Sequence, residues 1–353
     1  MALASGADPS SRKPMSLVPA QTTRPRSPAI DAVRGAAIVT MFAANLAGPC
    51  LREPHPLWLR AFGSFAAPAF VLLAGMMTSL SDRPAPWPRL LQRSLLLLGL
   101  AAGIDLLCWR IDPFETFDVL YLLGLALPLV GVCARLPFTA HLLVASAILA
   151  ATPWLRGALG YGPLLPEHLA YPWPTWRRLL VDGWFPMFPW LGVALLGGVA
   201  GRLEPLGEPR RKWLMPAGVA LMALGALGWW LSPPSIVTRS GYSELFYPPS
   251  PQYLALAIGA VLLVLSAFER LHRRLPLTWL VVLGRSSLLL YVAHVALIAF
   301  LLDEWFQGQT LPAYLALYLV MAGSLWLLAW ATQRGRHWLF KLRSRPTEGA
   351  RAA

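Results

Sequence analysis

Ala29-Ile-Asp31-Ala-Val-Arg34-Gly-Ala-Ala-Ile-Val-Thr-Met-Phe-Ala-Ala-Asn45-Leu-Ala47 is an apolar run long enough to cross a bilayer, interrupted by three strongly polar groups. On a helix turning 100° per residue, Arg34 and Asn45 lie a net rotation of roughly 20° apart, and Asp31 and Asn45 roughly 40°. The three therefore share one face, with about 16 Å of helical rise between Arg34 and Asn45. Such groups are costly in hydrocarbon, so this face is expected to look into the protein and to mark a site.

The rest of the chain repeats the apolar pattern. Of 353 residues, 56% are hydrophobic and 13% charged, against about 25% charged in soluble domains. That composition excludes a disordered chain, which would be poor in apolar residues. It also excludes a single soluble core, which could not hide this much apolar surface. Spans are expected at about 29–47, 59–80, 89–108, 118–134, 138–153, 184–203, 213–231, 252–268, 280–302 and 311–331. The fold class is thus an all-α polytopic membrane protein of about ten transmembrane helices. Residues 1–28, rich in Ser, Pro and Arg and without an apolar leader, read as a disordered cytoplasmic tail. Residues 29–331 form the transmembrane domain, and 332–353 a basic cytoplasmic tail.

The net charge of +13 would suggest nucleic acid in a soluble protein, but its distribution argues otherwise. With both termini inside, every inner segment carries Arg or Lys, for example Arg83, Arg89 and Arg93, or Arg210, Arg211 and Lys212. External segments hold only Arg52, Arg60, Arg110, Arg156, Arg177, Arg178 and Arg239, while acids such as Asp112, Glu115, Asp303 and Glu304 lean outward. This is the positive-inside pattern of a multi-pass protein in a cell membrane, with lipid and not nucleic acid as its partner. The localisation expected is a bacterial inner membrane, and a homodimer is compatible with it.

No GxxxxGK[ST] or HExxH motif occurs, so a transport ATPase or a zinc protease of the HExxH type is unsupported. Gly197-Gly198-Val-Ala-Gly201 lies inside a span and reads as close helix packing. Three cysteines give no metal spacing; Cys50 and Cys108, both near outer helix ends, leave one bridge open. The aromatics of Tyr171-Pro-Trp-Pro-Thr-Trp176, Trp184 and Trp229-Trp230 read as an interfacial belt, with stacking on sugar rings as the alternative. The external loop 154–183, carrying Arg156, Glu167, His168, Arg177 and Asp182, is expected to act as an outer lid.

Two further segments carry candidate chemistry. His55, in Glu53-Pro-His-Pro-Leu-Trp58, is held by flanking prolines and carries an imidazole, the side chain most used as a general base. Gly284-Arg285-Ser286-Ser287 leads into Tyr291-Val-Ala-His294, where Ser287, Tyr291 and His294 line one helix face. Arg34 and Arg285 then lie toward the inner end, to flank an anion or to pair with an acid such as Asp31. Asn45 and His294 lie toward the outer end. Asp105 and Asp118 are further candidates, the latter also able to cap its helix; His141 is expected at an interface. Cations inside, with Asn and two His outside, suit an anionic cytosolic donor and an external acceptor.

Residues 29–48 resemble the first helix of the heparan-α-glucosaminide N-acetyltransferase catalytic family, a D-x-h-R-G pattern followed by an apolar run and Asn. His55-Pro-Leu-Trp58, Phe65-Ala-Ala-Pro-Ala-Phe-Val-Leu-Leu-Ala-Gly75, Phe188-Pro-Trp-Leu-Gly-Val-Ala-Leu-Leu-Gly197 and Ser287-Leu-Leu-Leu-Tyr-Val-Ala-His294 resemble further segments of it. The resemblance implies a ten-span enzyme that carries acetyl from cytosolic acetyl-CoA to an amino sugar or other glycan across the membrane, without a metal. Its catalytic His falls on His55 and its Asn on Asn45, with His294 as a further catalytic candidate. Arg34, Asp31, Arg285 and Ser287 are the residues expected to hold the CoA. The family's second helix opens with Asp, where this chain has Ser64-Phe65. An O-acyltransferase of envelope polysaccharide using another acyl-CoA, or a solute transporter or flippase, are the alternatives; the inverted repeats that would favour transport are not evident.

Overall fold

The structure, a computed structural model, describes residues 27–80, 85–159, 175–203, 210–233, 243–247, 249–271, 274 and 277–343. The elements are α1 Pro28–Cys50, α2 Leu57–Gly63, α3 Ala66–Ser79, α4 Trp87–Ile104, α5 Val119–Cys133, α6 Phe138–Leu159 and α7 Thr175–Arg177. They continue with α8 Met187–Arg202, α9 Arg210–Leu231, α10 Pro251–Leu271, α11 Thr278–Arg285, α12 Ser287–Leu297, α13 Asp303–Trp305 and α14 Leu311–Arg343. Short π-helical turns extend α4 (Asp105–Trp109), α7 (Arg178–Asp182) and α12 (Ile298–Leu302).

Among the described residues, eight helices are long and apolar enough to cross a membrane, and the chain is an all-α polytopic membrane protein. The two other expected spans, 118–134 and 184–203, take different forms. One is the shorter apolar helix α5, and the other is α8, bent by 53° from the helical segment Thr175–Asp182 that precedes it. Residues 332–343 of the expected basic tail continue α14 as helix, and residues 1–26 lie outside the described part.

Burial separates inner from outer helices. The span of α1 is 78% buried, whereas those of α6, α9 and α14 are 17% buried. Leu95, Leu143, Leu319 and Val320 point outward with about two-thirds of their surface open. That apolar exterior suits lipid and would associate in water.

Glycines set the closest helix contacts. A Cβ on Gly35 would overlap the Leu280 carbonyl, and one on Gly284 the Asp31 carbonyl, so α1 and α11 meet backbone to backbone. The pair α3–α8 meets likewise at Gly75, Gly197 and Gly201, which accounts for the glycine run read in the sequence as helix packing. His141, in the first turn of α6, is fully buried, its ring seated against Gly198, where any side chain would exclude it. Cys50 and Cys108 are free thiols, so the bridge left open between them is not formed.

The expected span 280–302 is broken at Ser286, whose φ/ψ of −104°/14° divides α11 from α12. Ser286 N–H turns to Leu283 O at 3.0 Å, which releases the carbonyl of Val282 from its helical partner. Gln333 of α14 compensates, donating through Nε2 to Val282 O at 2.7 Å and to Ser286 Oγ at 2.8 Å. Inside a bilayer that substitution is obligatory, because water cannot satisfy the freed group.

Candidate functional site

The common polar face of α1 meets α11 at one end and α12 beyond it. At one end Arg285 Nε lies 3.1 Å from Asp31 Oδ2, an ion pair in which Asp31 is buried and 44% of the Arg285 side chain stays exposed. Beside it Arg34 donates through Nη2 to Ser287 Oγ, and its Nη1 faces Met77 Sδ at 3.8 Å. The backbone contact of Gly284 on Asp31 is what brings Arg285 and Ser287 to these partners. The structure thus joins the four residues expected at the cationic end, and of the two alternatives it gives Arg285 the acid.

At the other end Asn45 Nδ2 donates to His294 Nε2 at 2.9 Å. His294 Nδ1 lies 3.1 Å from Leu290 O, and a carbonyl only accepts, so Nδ1 carries the ring proton. The neutral ring therefore directs its Nε2 lone pair at Asn45. The ring is fully buried, with Phe42 at 5.4 Å and Tyr291 edge-on at 5.3 Å between centroids.

Asn45 and His294 open onto a cavity of about 250 Å³. Its polar lining also includes Asp118, Tyr291, Glu244 and Asp303, and its aromatic lining Trp109, Trp184, Phe185, Phe246 and Tyr247. Tyr291 OH donates to Asp118 Oδ2 at 2.7 Å, while Asp118 Oδ1 caps α5 through Leu120 N–H at 2.8 Å. The capping role read for Asp118 is present, and one carboxylate oxygen is left for Tyr291 and the cavity.

Asp105 holds the approach to Asp118. It accepts from Tyr121 OH and Thr116 Oγ1, each at 2.8 Å, and from Phe114 N–H at 3.1 Å. These bonds secure a segment in which Arg110, Phe114 and Phe117 all have positive φ, a conformation costly for residues with side chains. Trp184 and Phe185 then pair by backbone with Thr116 and Phe117. The residues that directly follow the expected lid loop are in this way pinned to the cavity wall. Glu167 and His168 of that loop lie outside the described residues.

Of the aromatics read as an interfacial belt, Trp176 and Trp230 are exposed, whereas Trp184 lines the cavity with its ring edge-on to Trp109. His55 is not among the lining residues. Its Nε2 lies 3.2 Å from Leu51 O, which places the proton on Nε2 and leaves Nδ1 as the base.

Glu244, Phe246 and Tyr247 were not singled out in the sequence. They belong to a segment between α9 and α10 that is drawn inward by Leu245 N–H on Ser64 Oγ at 2.7 Å. Arg60 Nε donates to Ser243 O at 3.3 Å, and Tyr253 OH to Ser64 O at 2.7 Å. The only signal was an aromatic pair next to an acid in a loop.

A family model described as "Heparan-alpha-glucosaminide N-acetyltransferase, catalytic" matches residues 26–230. No curated protein matches the chain.

Proposed function

Because this chain belongs to the heparan-alpha-glucosaminide N-acetyltransferase catalytic family, we propose that it moves acetyl from cytosolic acetyl-CoA to an amino sugar or other glycan outside, across a bacterial inner membrane. A transmembrane acetyltransferase-type function follows from the family; donor, acceptor and direction are our reading. The observation that carries it is the polarity of the seam between α1 and the broken helix α11–α12. Two arginines occupy one end, and Asn45 and His294 open onto a cavity at the other. About 16 Å of helical rise between Arg34 and Asn45 suits a CoA arm whose phosphates and thioester need opposite surroundings.

The CoA phosphates would be met by Arg34 and by the exposed edge of Arg285, while Asp31 and Ser287 orient the two guanidinium groups. Planar guanidinium groups suit phosphate oxygens. Asn45, displaced from His294 by the incoming groups, would donate to the oxygen of the tetrahedral intermediate. His294 Nε2 would take the proton of the attacking nucleophile and return it to the departing thiolate. The cavity is near the small end of ligand pockets (~300–1,000 Å³), so it suits one ring-sized end of a glycan. Its aromatic lining suits a sugar ring.

Vesicles reconstituted with the full chain, radiolabelled acetyl-CoA on the side of the termini and D-glucosamine on the other, test this reading. Label on the sugar is expected; none, with intact protein, overturns it. Loss of transfer in His294→Gln with transfer retained in His55→Ala would assign the base to His294. The opposite result would assign it to His55, as the family resemblance implies.

A further inference from the structure

An amine acceptor poses a proton problem that an alcohol does not. Near neutral pH it arrives as an ammonium ion, which has no lone pair. One proton must leave before attack and a second during it. His294 has a single vacant lone pair, on Nε2. A second base is needed in the same cavity.

We propose that Asp118, held by Tyr291, is that second base and acts on the acceptor before His294 does. The inference rests on the amine-acceptor reading above. Asp118 lines the cavity together with Tyr291 and His294, on facing helices. Its Oδ1 is committed to the α5 backbone, and Oδ2 accepts only from Tyr291 OH among the contacts described. In the first step an ammonium N–H bond breaks and an O–H bond forms on Asp118, leaving the lone pair on nitrogen. The amine then attacks the thioester carbonyl. Its remaining surplus proton passes to His294 Nε2 and on to the CoA thiolate as the C–S bond breaks. Asp118 releases its proton to water after the amide leaves. The sum is ammonium plus acetyl-CoA giving amide, CoA thiol and one proton.

Tyr291 suits both states of the carboxyl. A hydroxyl donates to a carboxylate and, turned about its C–O bond, accepts from a carboxylic acid. The groups facing the pair are Asp105 and Cys108 on the π turn of α4, Tyr121 on α5, and His294 on α12, with Glu244 and Asp303 in the cavity lining. Arg178 near this end is engaged by Glu115, through its carbonyl at 3.1 Å and its carboxylate at 3.9 Å. Among the described lining residues none is Lys or Arg, so an ammonium ion meets no competing cation there.

Asp118→Asn separates this role from capping, because Asn caps a helix as well as Asp does. The experiment measures acetyl transfer to D-glucosamine against pH in vesicles, with thermal melting as the fold control. Asp118→Asn is expected to melt like the wild type. About two pH units below the pKa of the glucosamine amine, where roughly one part in 10² is free base, it should lose about 10²-fold in rate, the scale of a general base. Activity should return as pH rises past that value, with KM for acetyl-CoA unchanged. Tyr291→Phe should show the same pH-dependent loss, smaller in size. A profile parallel to the wild type, whether undiminished or uniformly lowered, overturns the inference. A wild type that transfers no acetyl to glucosamine at any pH overturns the amine reading on which it rests.

Discussion

Asn45 and His294 stand 249 residues apart in sequence and 2.9 Å apart in space. Nδ1 of the ring is held by its own helix at Leu290 O, so Asn45 is the partner of Nε2 alone. Removing Asn45 leaves the Nε2 lone pair of a fully buried ring without a donor, and it removes the group placed to stabilise an oxyanion. Asn45→Ala should therefore lower kcat by about 10²–10³ while KM for acetyl-CoA changes little. Steady-state kinetics in vesicles checks this, and an unchanged kcat would remove Asn45 from the reaction. The helical repeat alone puts Arg34 and Asn45 on one face of α1. It could not say that Arg285 would take Asp31 while Ser287 took Arg34. That choice depends on the rotation of α11 and α12 against α1, which a single helix does not encode.

Between helices, the decisive contacts are made by residues without side chains. Gly284 lies against the Asp31 carbonyl and Gly35 against that of Leu280, and the two contacts hold the α1–α11 crossing. Gly284→Val would force these backbones apart and carry Arg285 away from Asp31. Overpacking of this kind costs typically about 1–3 kcal/mol. The expected result is a lowered melting temperature in detergent together with loss of activity, measured against Gly99→Ala, whose Cβ would meet nothing within 4 Å. Equal melting of Gly284→Val and the wild type would contradict the crossing described. The break at Ser286 belongs to this scale as well. From sequence, Ser286-Ser287 passed as part of one continuous span, since serine is tolerated in a transmembrane helix. What permits the break is Gln333, 47 residues downstream, which supplies the donor that Val282 O lacks.

For the molecule as a whole, orientation is the property that gives the chemistry a direction, and the distribution of Arg and Lys is its basis. With Cys50, Cys108 and Cys133 replaced by serine, single cysteines at Ser16 and Glu304 report on opposite sides. An impermeant maleimide added to intact cells should label Glu304→Cys and leave Ser16→Cys unlabelled until the cells are lysed. Labelling in the reverse sense would invert the proposed direction of transfer. The matched family region, residues 26–230, ends before Glu244, Arg285, Tyr291 and His294, so these parts of the described site come from beyond it. Composition and apolar periodicity by themselves determined that the chain is an all-α membrane protein, because the bilayer permits few other ways to satisfy a backbone over such lengths. They also determined which face of α1 is polar, because that follows from the helical repeat alone. Only the tertiary structure decided which polar groups meet. It set Asp118 both to cap α5 and to bind Tyr291, drew Glu244 into the cavity through Ser64, and left His55 outside the lining. Hydrogen bonds reach about 3 Å, and at that range the packing of distant helices, not spacing along the chain, chooses the partner.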